Sequence, residues 1–287
     1  MHALLRGPRA PRCGAARTVW RIRDGFAVGI PVELRYVFPM KANAPPAPSA
    51  DWCLFLDVDG TLIEFCDSPS PTNRDDALNR LLDRVWRALD GRLALISGRT
   101  IDNLDRLFAP RRFAAAGLHG LERRNASGVR QRLEVDADAL DGARAAMRSF
   151  VMRHPQALVE DKGIAVALHY RSAPHLEPAA RECLADVAAG LGDPFHVQEG
   201  NMVMELKSSR STKATAIAAF LDEPPFRGHT PVFVGDDLTD LDGFRVVDRR
   251  GGMSIAVGGR VRARWHIADP RAVRAWLAQV AALGEPR

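Results

Sequence analysis

Cysteine is sparse and scattered in this 287-residue chain: Cys13, Cys53, Cys66 and Cys183, with no CxxC pair among them. That pattern supplies neither the paired ligands of a structural zinc site nor a disulfide framework, and it fits a reducing cytoplasm. Long apolar runs are missing too. No stretch approaches the roughly 18 residues that a membrane-spanning helix needs. Near the N-terminus only Ala3-Leu4-Leu5 cluster, short of the apolar core of a secretory signal. No internal repeat is evident.

Positive charge is abundant in one place only. The formal net charge is +5, but residues 1–41 hold eight Lys or Arg against Asp24 and Glu33, which leaves the rest of the chain at about −1. The body is therefore not basic as a whole, and neither nucleic acid nor membrane is expected as its partner. Residues 1–50 mix Arg with Pro and Gly without a sustained helical or strand period, and are expected to form a basic, disordered extension. Their composition admits an over-long leader before a true start at Met40, an organellar transit peptide, or an anion-binding arm. With 46% hydrophobic residues, the remaining length can bury a sizeable core, in one large domain or two small ones.

The most informative segment is Cys53-Leu54-Phe55-Leu56-Asp57-Val58-Asp59-Gly60-Thr61-Leu62. An apolar stretch that stops at two acids two positions apart reads as a buried parallel strand. At a strand's period of two, Asp57 and Asp59 share a face, and Gly60 lets the backbone turn away. Open α/β sheets place their ligands at the C-terminal ends of such strands. One acid there would read as a solvated turn; a pair suits a metal and a phosphate.

This segment resembles the DxDGT signature of the haloacid dehalogenase superfamily of phosphohydrolases. The resemblance implies a nucleophile at Asp57 and a general acid/base at Asp59. In-line attack of a carboxylate on phosphorus would give an aspartyl-phosphate that water then hydrolyses, dividing one hard step into two. Asp59 would protonate the leaving sugar oxygen and later deprotonate the water. Carboxylates facing a phosphate dianion repel it unless a cation intervenes, and oxygen ligands beside phosphate point to Mg²⁺ rather than zinc.

Hydrophobic periodicity organises the rest. Leu78, Leu81, Leu82, Val85 and Leu89 share one face of a helix over 75–90. Leu93–Ile96 reads as a strand, Ile101, Leu104, Leu107 and Phe108 as a helix face, and 113–116 as a third strand. That alternation predicts an α/β fold with a doubly wound parallel sheet. The pattern then changes to helix 136–153, strands 157–160 and 164–170, helix 176–191, and strands 195–199 and 202–206, broken at Gly200-Asn201. Residues 122–207 are accordingly expected to form an inserted α+β cap domain. A Rossmann-like, haloacid dehalogenase-like core is expected over 51–121 and 208–287, resuming with a helix from Thr212, strands 231–235 and 253–257, and a helix near 270–283.

Other residues carry candidate chemistry. Ser97 ends the second strand before Gly98, where a hydroxyl and a free N–H can hold phosphate at a helix N-terminus; the superfamily resemblance implies a Ser or Thr there. Arg99 reads equally as a phosphate ligand or a surface charge, and His119, in Gly117-Leu118-His119-Gly120, joins the expected substrate-binding set. Lys213 opens a helix, where a cation opposes the macrodipole and needs compensation; the superfamily's third motif makes it catalytic. Val232-Phe233-Val234-Gly235-Asp236-Asp237-Leu238-Thr239-Asp240 is a second apolar strand ending in acids. Asp57, Asp59, Asp236 and Asp240 are the expected metal ligands, with Asp240 able instead to orient water or Lys213.

Taken together, GDDLTD, Glu205-Leu206-Lys207, Ser211-Thr212-Lys213, Glu160-Asp161-Lys162-Gly163, Leu168-His169-Tyr170-Arg171 and Gly252 through Gly258 resemble bacterial trehalose-6-phosphate phosphatases, in family order from about 53 to 280. The resemblance implies hydrolysis of trehalose 6-phosphate under a mobile cap, with Glu160, Lys162, His169, Arg171 and Glu205 recognising sugar hydroxyls. His169 and Arg171 would share a strand face with Ala165 and Ala167, opposite Ile164, Val166 and Leu168. One departure is Leu241, where the family often has an acid directly after GDDLTD; here the acid is Asp242. The core motifs handle only the phosphoryl group. Sucrose 6-phosphate, mannosyl phosphoglycerate or a hexose phosphate therefore remain alternative substrates, and a non-catalytic partner of a sugar-phosphate synthase is the alternative of another class.

Overall fold

The computed structural model describes residues 18–23, 26–31, 43–64, 74–134, 137–193, 195–200 and 202–285. Cys13, Met40, Cys66 and Asn201, used in the reading above, lie outside them. Residues 1–41 make a unit of their own, in which β1 (Thr18–Arg23) and β2 (Phe26–Pro31) pair antiparallel. A disordered extension was expected over 1–50; within it the described residues 18–23 and 26–31 form this hairpin.

The second unit runs from Ala42 to Arg287. Its elements are β3 (Trp52–Leu56), α1 (Asp76–Ala88), β4 (Leu93–Ile96), α2 (Ile101–Leu107), β5 (Ala114–Gly117), β6 (Glu122–Arg124) and β7 (Arg130–Arg132), then α3 (Ala137–Arg153), β8 (Leu158–Asp161), β9 (Ala165–His169), α4 (Glu177–Leu191), β10 (Phe195–Gly200) and β11 (Val203–Ser208). After these come α5 (Lys213–Leu221), β12 (Thr230–Gly235), α6 (Leu241–Arg249), β13 (Met253–Val257), β14 (Trp265–Ile267) and α7 (Pro270–Ala281). Among the described residues no helix is long and apolar enough to cross a membrane.

An eight-stranded sheet has the order β14-β13-β12-β3-β4-β5-β6-β7. The six strands from β14 to β5 are parallel, and β6 and β7 join antiparallel. From the central β3 the chain winds outward through β4 and β5, then returns to build β12, β13 and β14 on the other side. The switch point therefore lies between β3 and β12, where a crevice opens at the C-terminal ends of both. Along β3 the side chains alternate: Leu54 and Leu56 pack with α1, α2 and α7, whereas Cys53 and Phe55 pack with α5 and α6. Every residue of β3 is buried. At roughly 2 kcal/mol per fully buried large apolar side chain, this seats the strand firmly and fixes where Asp57 emerges. Gly60, with φ +86°, then turns the chain as its sequence position suggested.

The smaller, four-stranded antiparallel sheet has the order β10-β11-β9-β8. Val166, Leu168, Met204 and Leu206 pack against α3 and α4, leaving Ala165, Ala167, His169, Glu205 and Lys207 on the opposite face. Two details differ from expectation. Residues 122–132, placed in the cap by sequence, extend the large sheet instead, because buried Arg124 is paired with Asp105 and bonded to the Phe113 carbonyl. Ile164 packs with Leu118 and Leu121 rather than with the helices.

Candidate active site

Asp57 follows β3 and Asp236 follows its neighbour β12, so adjacent strand ends deliver two carboxylates to the crevice. The N–H of Asp57 donates to the Val234 carbonyl at 2.9 Å, which locks the two ends together. Lys213, the first residue of α5, donates from Nζ to Asp57 Oδ1 and to Asp240 Oδ1, both at 2.6 Å. Those two acids supply the compensation that a lysine at a helix start requires. Both oxygens of Asp240 are engaged: its Oδ2 accepts the N–H groups of Asp236 and Asp237, each at 3.0 Å. Thr61 Oγ1 donates to Asp236 Oδ1 at 3.3 Å.

Charge in this buried cluster is unbalanced, with three carboxylates facing one ammonium. Burial pushes the Asp57 carboxyl well up; Lys213 opposes that, and Asp240 and Asp236 add to it. Asp236 is pushed up to about 6, again chiefly by burial and then by Asp240. Burial works against the Lys213 charge, but Asp240 and Asp57 more than offset it and hold the ammonium ionised. Asp57, Asp236 and Asp240 can each offer an oxygen within 4.8 Å of the others. An excess of buried negative charge with only hard oxygen donors is what a divalent cation would relieve, so the residues fit one.

Asp59 stands apart from this cluster. Its carboxylate receives two bonds from Arg99, at 2.6 and 2.7 Å. Of the four expected metal ligands, the structure thus gathers three and directs the fourth to a guanidinium. Ser97 is buried, and its Oγ accepts the Arg99 N–H at 3.1 Å rather than lining the cavity.

A cavity of 340 Å³ opens above the acids. Its roof is the polar face of the smaller sheet, with Glu160, Lys162, His169, Arg171 and Glu205 on the wall beside Gly98, Arg99 and His119. Lys162 Nζ donates to Glu205 Oε1 at 2.8 Å and to the Gly98 carbonyl at 3.2 Å. His119 Nε2 lies 3.2 Å from Glu205 Oε2, and His169 Nε2 2.9 Å from Glu160 Oε2. Burial would raise the Glu205 carboxyl, but Lys162 and His119 hold it far below the usual range. Burial and the nearby Lys207 depress His119 to about 4, so at neutral pH its ring is neutral and Nε2–H is the donor to Glu205. Gly98 leaves no room for a side chain unless the His119 ring shifts: a Cβ there would sit 2.6 Å from His119 Nε2. The turn beyond is tight as well, with Leu118 at φ +51° and His119 at φ +57°, a conformation that costs about 1 kcal/mol or more per non-glycine residue.

The structure also brings in residues that the sequence reading passed over. Gln156 and Gln198 line the cavity, and Gln198 is the cross-strand partner of Glu205. Period two along β10 carries the signal: Phe195 faces the helices, so His196 and Gln198 face the other way. Lys207, two residues beyond Glu205, is 2% exposed.

A twisted parallel sheet with acids at its switch point, joined to a second α+β sheet that roofs them, is the haloacid dehalogenase-type phosphohydrolase architecture. A phosphatase of the haloalkanoate (HAD) superfamily from Bacteroides thetaiotaomicron shares that fold, with TM-score 0.55 and 16% identity over 78% of this chain and 91% of that one. The chain belongs to the trehalose-phosphatase family, whose profile matches residues 55–274. It is 42% identical over 237 residues to the trehalose-6-phosphate phosphatase of Escherichia coli K12, covering 82% of this chain and 88% of that one. The crystal structure of a trehalose-6-phosphate phosphatase related protein superposes with TM-score 0.68 at 26% identity, over 80% of this chain and 97% of that one. The family's chemistry is phosphoric monoester hydrolysis.

Proposed function

We propose that this protein hydrolyses trehalose 6-phosphate to trehalose and phosphate through an aspartyl-phosphate on Asp57, with Mg²⁺ as the cation. The observation that carries the reading is Asp57 itself: a buried carboxylate at the switch point, held by Lys213 beneath a cavity with a polar roof. The substrate follows from the name of the Escherichia coli relative at 42% identity. Uncatalysed phosphate-monoester hydrolysis is slow enough that accelerations reach about 10²¹-fold, so a water-excluding roof has a physical purpose.

Asp57 and Asp236 would hold the cation, because Asp240 already spends both oxygens on Lys213 and on backbone N–H groups. Bound there, Mg²⁺ would neutralise phosphate charge that the carboxylates would otherwise repel. Lys213 fixes the direction of the Asp57 carboxylate and adds positive charge beside the attacking oxygen. Asp59 would serve as acid and then base. Its carboxylate is at present bonded to Arg99, so for Asp59 to reach the leaving oxygen the substrate would have to draw Arg99 away, most directly onto a phosphate oxygen. Glu160, Lys162, His169, Arg171 and Glu205 would hold sugar hydroxyls, while Gly98 and His119 shape the wall on the phosphate side and Ser97 supports it from behind through the Arg99 N–H. Release of phosphate from a panel of sugar phosphates, with Mg²⁺ and with EDTA, tests the assignment. Selective, EDTA-sensitive turnover of trehalose 6-phosphate is expected, and Asp57→Asn should abolish it in a folded protein. Selective turnover of another sugar phosphate would overturn the substrate, and an active Asp57→Asn enzyme would overturn the nucleophile.

A further inference from the structure

A second cavity lies away from Asp57. It measures 870 Å³, against 340 Å³, and the two share no lining residue. It lies between α1 and the segment Phe108–Arg112, which leads into the start of β5 and so belongs to the opposite end of the parallel strands from Asp57.

Six arginines line it: Arg74, Arg80, Arg84, Arg87, Arg111 and Arg112, against only Asp76 and Asp83. Arg74 pairs with Asp76 and Arg84 with Glu285, but the other acids are shared. Asp83 serves both Arg87 and Arg111. Asp105 is bonded to Arg124 and Arg130, and reaches Arg112 only at 3.8 Å. Arg80 is exposed, and no acid among the described residues pairs with it. Because the chain outside its N-terminal tail is close to neutral, this is a local concentration of cation rather than a generally basic surface.

The groove is also built in advance. The Asn79 amide donates to the carbonyls of Leu107 and Ala109, pinning the loop against α1. Arg111 is stacked 3.8 Å over Trp86. Phe108 and Pro110 give the wall an apolar portion. Preformed, partly apolar cavities of about 300–1,000 Å³ are the size of small-molecule sites, and forked guanidinium donors match phosphate oxygens two at a time.

We propose that this arginine-lined groove binds a phosphorylated small metabolite, at a site separate from catalysis and independent of the substrate proposed above. The preformed, partly apolar wall and the stacked Arg111 favour a small molecule over an acidic protein segment. The test is calorimetric titration of the full-length protein with ADP, followed by competition with glucose 6-phosphate. Saturable ADP binding is expected, weakened by added NaCl and by at least about tenfold in Arg80→Gln/Arg112→Gln. The double variant should keep its melting temperature and its rate on p-nitrophenyl phosphate; if it does not fold, Arg80→Gln alone should weaken binding in the same direction. Displacement of ADP by glucose 6-phosphate would support a sugar phosphate as ligand, and failure to displace would support a nucleotide. Absence of binding by both probes, binding unchanged in the variants, or binding of polyglutamate in place of either probe would each overturn the proposal.

Discussion

Replacing Gly98 by alanine would place a methyl carbon 2.6 Å from Nε2 of His119 and 2.8 Å from its Cε1. Gly98 does not have a positive φ, so the alanine backbone is unstrained and the cost is steric. Ordinary contact is about 3.5 Å, so the ring must retreat by nearly an ångström. The His119–Glu205 separation is already 3.2 Å, and a retreat of that size ends the hydrogen bond. Such a bond to a charged group is worth about 1.5–3 kcal/mol, or between about tenfold and 150-fold in an equilibrium constant. Glu205 is a roof residue, so the loss should fall on recognition of the sugar. kcat/KM for trehalose 6-phosphate should drop within that range, and p-nitrophenyl phosphate, too small to need the roof, should be hydrolysed at close to the original rate. The check is a double-mutant cycle. In a His119→Ala background the new methyl has nothing to strike and should cost less than about twofold. An equal loss in both backgrounds would refute the steric account.

Asp236→Asn should abolish turnover yet stabilise the metal-free protein at pH 7–8. A carboxyl raised to about 6 from 3.8 favours the protonated folded state, so its cost is absent below pH 3.8 and complete above pH 6. Removing it should recover up to about 3 kcal/mol, read from denaturant midpoints in EDTA; a destabilised variant would contradict the charge imbalance. His119 gives the opposite pH dependence. Depressed to about 4 from 6.5, it contributes stability that is complete above pH 6.5 and is lost as the pH falls towards 4. His119→Gln should flatten that part of the melting-temperature profile, and coincident profiles would show that the ring is not held neutral.

Much of the fold could be read from short apolar runs. Leu93–Ile96 and Met253–Val257 match the expected strands residue for residue, because strands buried on both faces leave an uninterrupted apolar signature. The strands β6 and β7 left none: Glu122-Arg123-Arg124 and Arg130-Gln131-Arg132 look like solvated charge until Arg124 is seen bridging Asp105 and the Phe113 carbonyl. Helix α6 was hidden by the acidic turn before it, although Phe244 and Val247 are spaced for one buried face. At the site, the acids announced themselves through their strand ends, and the cavity takes in Glu160, Lys162, His169, Arg171 and Glu205. The Arg99–Asp59 pair spans 40 positions and the Lys213–Asp57 pair 156, and no local periodicity encodes such contacts. The engagement of both Asp240 oxygens was equally out of reach, since it depends on the backbone of the turn that Asp240 itself closes.

The short segment between β11 and α5 has a mechanical consequence. Ser211 Oγ donates to the Gly120 carbonyl at 2.6 Å, and Thr212 caps α5 through the Thr215 N–H, so the chain is riveted to the turn between β5 and β6 just ahead of Lys213. Any swing of the smaller sheet on this side must be absorbed at Ser209 and Arg210, upstream of the rivet. Were the roof to move, the ammonium beside Asp57 would keep its place. Lengthening the chain by a residue before Ser211 would alter how far the roof travels; the same insertion after Thr212 would displace the charge on which the nucleophile depends.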